Sequence, residues 1–197
     1  MTDIPIDSGK VASDLLRALG EQLAARGEHY TLAVVGGSAL LALGLASRAT
    51  RDVDVVAIID DNELVSAQPL PAPLVDAAHT VGRDFGLSDE WLNPGPTSLL
   101  DLGLPEGFQE RAQRRDFGPG LEVLFASRVD QIHLKLYATV DQGAGKHLTD
   151  LQALAPTEQE LLDAARWSRT HDPSDGYRGV LASVLAHFGV DDGHLGS

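Results

Sequence analysis

The sequence predicts an α/β (α+β) protein in which a small mixed sheet is flanked by helices and a helical portion occupies the C-terminal end. Three observations predict it. The first sixty residues read as helix, strand, glycine turn, helix and strand; a further, mainly apolar strand follows at 121–126; and from Arg128 onward apolar positions recur at three- and four-residue steps. Residues 1–127 are expected to form the core and 128–197 the helical portion that completes it, the whole being one compact unit.

The elements follow in order. Val11, Leu15, Leu16, Leu19 and Leu23 mark an amphipathic helix over 8–26, with Gly27 placed to end it. Residues 30–35 are short and apolar, hence a buried strand. Gly36-Gly37-Ser38 then turns the chain into a helix over 39–47, with Ser38 as N-cap. A second strand covers 53–59 and ends at Asp60-Asp61-Asn62. Pro69, Pro71 and Pro73 mark a loop, and Pro73 is suited to open a helix through Phe85. Residues 93–120, rich in proline and glycine, predict loops and short pieces carrying a basic patch at Arg111, Arg114 and Arg115. After the strand at 121–126, helices are expected at 128–140, 147–154, 157–170 and 173–188. The third of these opens on the capping box Thr157-Glu158-Gln159-Glu160.

Composition narrows the classes. Hydrophobic residues make up 43% of the 197 and charged residues 22%, enough apolar mass for a core. The absence of cysteine excludes disulfides, thiol catalysis and thiolate-bound zinc. No secretory leader is read at the N-terminus and no apolar run is long enough for a bilayer, so a cytoplasmic, non-membrane protein is expected. The net charge of −14 argues against a broad polynucleotide-binding surface, since such surfaces draw their affinity from phosphate neutralisation. Contact with a nucleic acid would therefore be local.

One constellation carries chemistry. Gly36 and Gly37 permit a backbone to approach a phosphate closely, and Ser38 adds a hydroxyl donor. One helix later, Asp52 and Asp54 stand two apart at the start of a strand, so both carboxylates point to one face. A divalent cation bound together with triphosphate oxygens is the natural occupant of such a pair. His133 and His147 have no second ligand at the spacing a metal site needs, and no Ser-His-Asp elbow, Walker loop or dinucleotide fingerprint is present.

The stretch VVGGSALLALGLASRATRDVDVV resembles the signature of the DNA polymerase β-like nucleotidyltransferase superfamily, in which a glycine turn precedes an Asp-x-Asp strand. With Arg48, Thr50 and Arg51 leading into Asp52, it is similar to the AbiEii-type and MenT-type toxin nucleotidyltransferases. The later stretch LEVLFASRVDQIHLKLYATVDQGAGKHLTDLQAL similarly offers a strand, a helix bearing Lys135, and a basic-plus-aspartate motif ending at Asp150. The resemblance covers residues 30–59 and 121–155, and none is found over 60–120.

The resemblance implies a nucleotidyltransferase fold and a role for each matched residue. Asp52 and Asp54 would hold Mg2+; Gly36, Gly37 and Ser38 would hold the triphosphate; Arg48 and Arg51 would reach the nucleotide or pair with the aspartates. Lys135 would neutralise phosphate charge and Asp150 would position it or the acceptor, and Glu122, on the strand at 121–126, is the only candidate there for the third carboxylate that many members of the superfamily carry. The implied reaction is transfer of a nucleotide from a nucleoside triphosphate to the 3′ end of tRNA, with a cognate antitoxin as partner. Arg111, Arg114, Arg115, Arg128, Lys135 and Lys146 would meet the acceptor stem. The alternatives are a small cationic acceptor such as an antibiotic, a protein hydroxyl, or a non-catalytic nucleotide-binding module.

Overall fold

The computed structural model describes residues 4–191 and residue 193, and they fall into two compact units, Met1–Ala126 and Ser127–Ser197. The first contains a six-stranded mixed sheet. Its strands are β1 (Tyr30–Val35), β2 (Val53–Asp60), β3 (Glu63–Val65), β4 (Leu92–Asn93), β5 (Gln113–Asp116) and β6 (Leu121–Phe125). The order across the sheet is β3-β2-β1-β6-β5, with β4 also on β2. β1 runs antiparallel to β2 and parallel to β6, while β4 runs parallel to β2. β3 and β4 share one edge of β2: β3 pairs with its far half, from Ile58 to Asp60, and β4 with its start, at Val53 and Asp54.

Helix α1 (Gly9–Ala24) covers this sheet. The Ser8 hydroxyl caps it by accepting from the Val11 N–H at 3.3 Å, and its buried stripe is the Leu15, Leu16, Leu19 and Leu23 series. It packs on β6, α2 (Gly36–Ala42) and α3 (Ala72–Phe85). The core they enclose includes Trp91, fully buried, whose indole N–H donates to the Ala78 carbonyl at 2.8 Å. The segment between β4 and β5 holds the 3-10 turn Gly95–Thr97 and two short helices, α4 (Ser98–Leu102) and α5 (Phe108–Arg111).

One local expectation is corrected. Helix α2 begins at Gly36 rather than Ala39, so Ser38 lies inside its first turn, and the N-cap is the extended Val35, which makes no side-chain cap bond. Gly36 at φ +74 lets the strand turn straight into the helix, which moves the capping position upstream of the polar residue. The helix also stops at Ala42 rather than running to Ser47. Gly44 adopts φ +69, and the Leu45 N–H closes onto the Leu40 carbonyl at 2.8 Å, a helix-ending arrangement that overrides the continuing apolar run.

The second unit is helical: α6 (Arg128–Gln142), α7 (Gly145–Ala153), α8 (Glu158–Arg169) and α9 (Asp175–His187). α6 packs against the other three. Ser127 caps α6, Ser174 caps α9, and Thr157 with Glu160 forms the full capping box of α8. Arg128 ties the α7–α8 connection together, donating to the carbonyls of Leu154 and Ala155 at 2.9 and 2.8 Å and to the Glu160 carboxylate at 2.5 Å. An aromatic cluster of His133, Tyr137, Trp167, His171 and Tyr177 joins α6, α8 and α9, its closest pair being Trp167 and His171 at 4.5 Å between ring centres.

Two groups here make stability depend on pH. Hydrogen bonding from Arg128 holds the Glu160 carboxyl below its ordinary range, and burial pushes the His171 imidazole below its own. His171 Nε2 is buried without a hydrogen-bond partner, so a protonated ring would strand a donor. In both cases the unfolded chain binds the proton more readily, so stability falls as pH falls. The His171 contribution is lost on acidification below about 6.5, and the Glu160 contribution below about 4.3. In urea titrations the midpoint is expected to drop between pH 7 and 5, with a smaller drop in His171→Phe. A second drop below pH 4.5 is expected to be reduced in Glu160→Gln.

Candidate active site

The site assembles where the end of β1 meets the start of β2. Val35 is opposite Asp54 on one side, and Asn93 of β4 is opposite it on the other. Val53 is fully buried while Asp52 and Asp54, on either side of it, are half-exposed, which is the alternation that presents both carboxylates together. Each carboxylate is aimed by a neutral donor. The Thr50 hydroxyl donates to Asp52 Oδ1 at 2.9 Å, and the Asn93 amide donates to Asp54 Oδ1 at 2.9 Å. Thr50 is itself fixed by a backbone bridge to Ile6.

The glycine turn closes against these carboxylates. A methyl group on Gly36 would overlap Asp54 Oδ2, and one on Gly37 would stand 3.1 Å from Thr50 Cβ and 3.5 Å from the Arg48 guanidinium. The Gly36 backbone therefore lies directly against the Asp54 carboxylate, with Thr50 and Arg48 close by at Gly37. Ser38 is 2% exposed, and its hydroxyl finds no partner in the structure. A buried hydroxyl left in this state costs about 1–3 kcal/mol unless something else satisfies it. Arg48 donates to the Ala49 carbonyl at 3.0 Å, and Arg51 is exposed.

The other expected residues lie in the second unit. Lys135 on α6 and Asp150 on α7 form an ion pair at 2.7 Å, with side-chain exposures of 8% and 2%. Glu122, the candidate third carboxylate, is not brought to the pair. It is in register with Thr31, four residues before Val35, and so about 13 Å away along the strand direction. There it accepts from Arg114 at 2.7 Å. Among the described residues no three His, Cys, Asp or Glu side chains gather into a metal-binding group. The two carboxylates with their neutral donors fit one oxygen-liking divalent cation, which fills its remaining positions with water or phosphate oxygens.

Most of the expected basic patch is engaged within the fold. Arg114 pairs with Glu122, and Arg115 donates to the Ala42 carbonyl at 2.8 Å and lies over the Phe125 ring. Arg128 is held by the α7–α8 connection and Lys135 by Asp150. Asn93 is the functional candidate that periodicity missed. Its signal was a two-residue apolar step, Trp91-Leu92, running into Asn93-Pro94-Gly95-Pro96, too short to register as a strand.

A glycine turn set against an Asp-x-Asp strand is what the resemblance to nucleotidyltransferases implies, and the comparison of families agrees at that level. Residues 14–146 match the family model described as "Nucleotidyltransferase of unknown function (DUF6036)". The chain belongs to this family. The match to the DUF6036 nucleotidyltransferases spans α1 through α6 and beyond, so it includes the glycine turn, Asp52, Asp54, Asn93 and Lys135 but ends before Asp150. Comparison with curated proteins and with solved structures gives no match. No helix of the described residues is long and apolar enough to cross a membrane.

Proposed function

We propose that this nucleotidyltransferase is a Mg2+-dependent toxin that transfers nucleotides from a nucleoside triphosphate to the 3′ end of tRNA. The observation that carries the nucleotidyl-transfer part is the contact between the Gly36 turn and the Asp54 carboxylate, which sets a glycine backbone beside two aimed carboxylates. Asp52 and Asp54 would hold the magnesium ion, which supplies charge neutralisation to the triphosphate. Gly36 and Gly37 admit the phosphates to the main chain, and the Ser38 hydroxyl gains the partner it lacks. Arg48, over Gly37, adds positive charge at the same place, and Arg51 is available to the nucleotide. Lys135 neutralises phosphate charge and Asp150 positions it. The terminal hydroxyl oxygen attacks the α-phosphorus and gives up its proton to solvent, the bond from the α-phosphorus to the oxygen bridging to the β-phosphate breaks, and pyrophosphate leaves. With no covalent enzyme intermediate, the protein contributes positioning and electrostatics.

The tRNA acceptor and the cognate antitoxin rest on the Arg48-Ala49-Thr50-Arg51-Asp52 run and on the helix-borne Lys135 with Asp150, both of which resemble AbiEii- and MenT-type toxins. The structure supports treating that run as functional, because Thr50 aims Asp52 and Arg48 covers Gly37. A second reading, a small cationic acceptor, is favoured by the net charge of −14 and by the internal engagement of Arg114, Arg115 and Arg128. One assay separates the two. Purified protein, Mg2+, total RNA and each α-labelled nucleoside triphosphate are expected to label the tRNA band, with loss of label by at least about 100-fold in Asp52→Ala/Asp54→Ala. Pyrophosphate release without labelled RNA would move the acceptor to a small molecule or a protein. No pyrophosphate release with any acceptor would leave a nucleotide-binding module.

A further inference from the structure

We infer that Asn93 is a positioning residue for Asp54: its amide fixes which way that carboxylate faces, and its neutrality keeps the cation site at two carboxylates. The inference rests on the reading of Asp52 and Asp54 as cation ligands, and it adds a residue that neither the sequence pattern nor the family description assigns.

The orientation of the Asn93 amide is decided by its surroundings. Its carbonyl oxygen accepts from the Gly95 backbone N–H at 2.9 Å, so the other end must be the NH2 group, and that group donates to Asp54 Oδ1 at 2.9 Å. The turn that makes the first bond, Asn93-Pro94-Gly95-Pro96, has its backbone stiffened by two prolines, and Thr97 next to it is buried and accepts from the Ala67 N–H. The β4 to β2 register puts Asn93 directly beside Asp54, so the amide reaches the carboxylate from the neighbouring strand rather than by a flexible side-chain path. On the other flank the Gly36 backbone lies against Oδ2. Asp54 is thus clasped between a strand it pairs with and a turn it touches, with Oδ1 facing Asn93 and Oδ2 facing the glycine turn.

Chemistry explains why an amide suits this place. A carboxylate at the same distance from Oδ1 would bring two negative charges within hydrogen-bonding range with no proton between them, and the empty site would be repulsive. A hydroxyl or an aliphatic side chain would not span the gap from β4 while also being held by the Gly95 N–H. Asparagine does both, and it leaves the charge of the site to Asp52 and Asp54. Groups that orient a metal ligand in this way typically change affinity by about 10–100-fold when removed.

The test is Mn2+ binding to the full chain, read by the loss of the free-ion paramagnetic resonance signal, together with thermal unfolding with and without Mn2+. Asn93→Ala is expected to bind Mn2+ about 10-fold or more weakly than the unaltered chain, with Asp54→Ala as the floor. Asn93→Ala that unfolds normally and binds Mn2+ as the unaltered chain does would overturn the role of Asn93 alone. An unaltered chain that shows no Mn2+ binding above Asp54→Ala would instead overturn the cation reading, and this inference with it. If Asn93→Ala does not fold, Asn93→Leu keeps the volume of the side chain without its donor, and Mn2+ binding about 10-fold or more weaker is again expected; affinity equal to that of the unaltered chain overturns the proposal.

Discussion

Gly36→Ala is expected to reduce nucleotidyl transfer by about 100-fold or more, as a displacement of the reacting geometry by roughly 1 Å can do. Two costs combine at this position. The residue sits at φ +74, where an alanine costs about 1–2 kcal/mol, and its added methyl would overlap Asp54 Oδ2. The strand and helix on either side are buried and have no slack, so the carboxylate is the group that must move. Gly44→Ala makes the comparison: its φ is +69, but an added methyl meets nothing within 4 Å, so it carries the backbone cost without the displacement. Steady-state rates for the two variants, with urea titrations to match their stabilities, separate strain from misplacement. Equal losses of activity in both would show that Asp54 is not the target.

Lys135→Met is expected to destabilise the protein by about 3–5 kcal/mol, because it removes the ammonium 2.7 Å from the buried Asp150 carboxylate. Asp150→Asn removes charge from the other side and is expected to cost less, since an amide still accepts from the lysine. The double variant Lys135→Met/Asp150→Leu is expected to regain most of the stability, as buried ion pairs replaced by apolar groups of similar volume often do. Urea unfolding of the four proteins measures these differences, and a Lys135→Met loss under about 1 kcal/mol would mean that the pair is better solvated than its 2% and 8% exposures indicate. A double variant that folds well and transfers no nucleotide would assign the pair a role in catalysis distinct from its role in the fold.

The sequence made legible whatever is long, periodic or chemically capped. β1 was expected at the residues where it lies, because its apolar, β-branched run ends on a glycine; α8 followed from its capping box and α1 from its leucine spacing. The edges of the sheet were not legible, for physical reasons. β5 is Gln113-Arg114-Arg115-Asp116, with no apolar residue to show a face, and it is held by its ladder to β6 and by the salt bridge to Glu122. β3 is three residues reached through a tight turn in which Asp61 and Asn62 both have positive φ, a hairpin signal that is weaker without glycine. At the candidate site, the glycine turn and the two aspartates could be read from spacing alone. Asn93 could not, because its partner lies 39 positions earlier and only the β4 to β2 register brings them together. Basic residues misled in the opposite way: sequence shows that charges are near one another but not that most of them already hold a carboxylate or a carbonyl.

The ladder between β1 and β2 carries an irregularity between Ala33 and Val34. Ala33 is opposite Ala57 and Val34 opposite Val55, so Val56 is a supernumerary residue with no opposite number. That single extra residue bends the strand and adds twist between it and the glycine turn. Without it Val55 would follow Ala57 directly, still opposite Val34, and Asp54 would keep Val35 as its partner and keep its face, so the extra residue governs the angle at which β2 delivers the aspartates to Gly36 rather than the face they occupy.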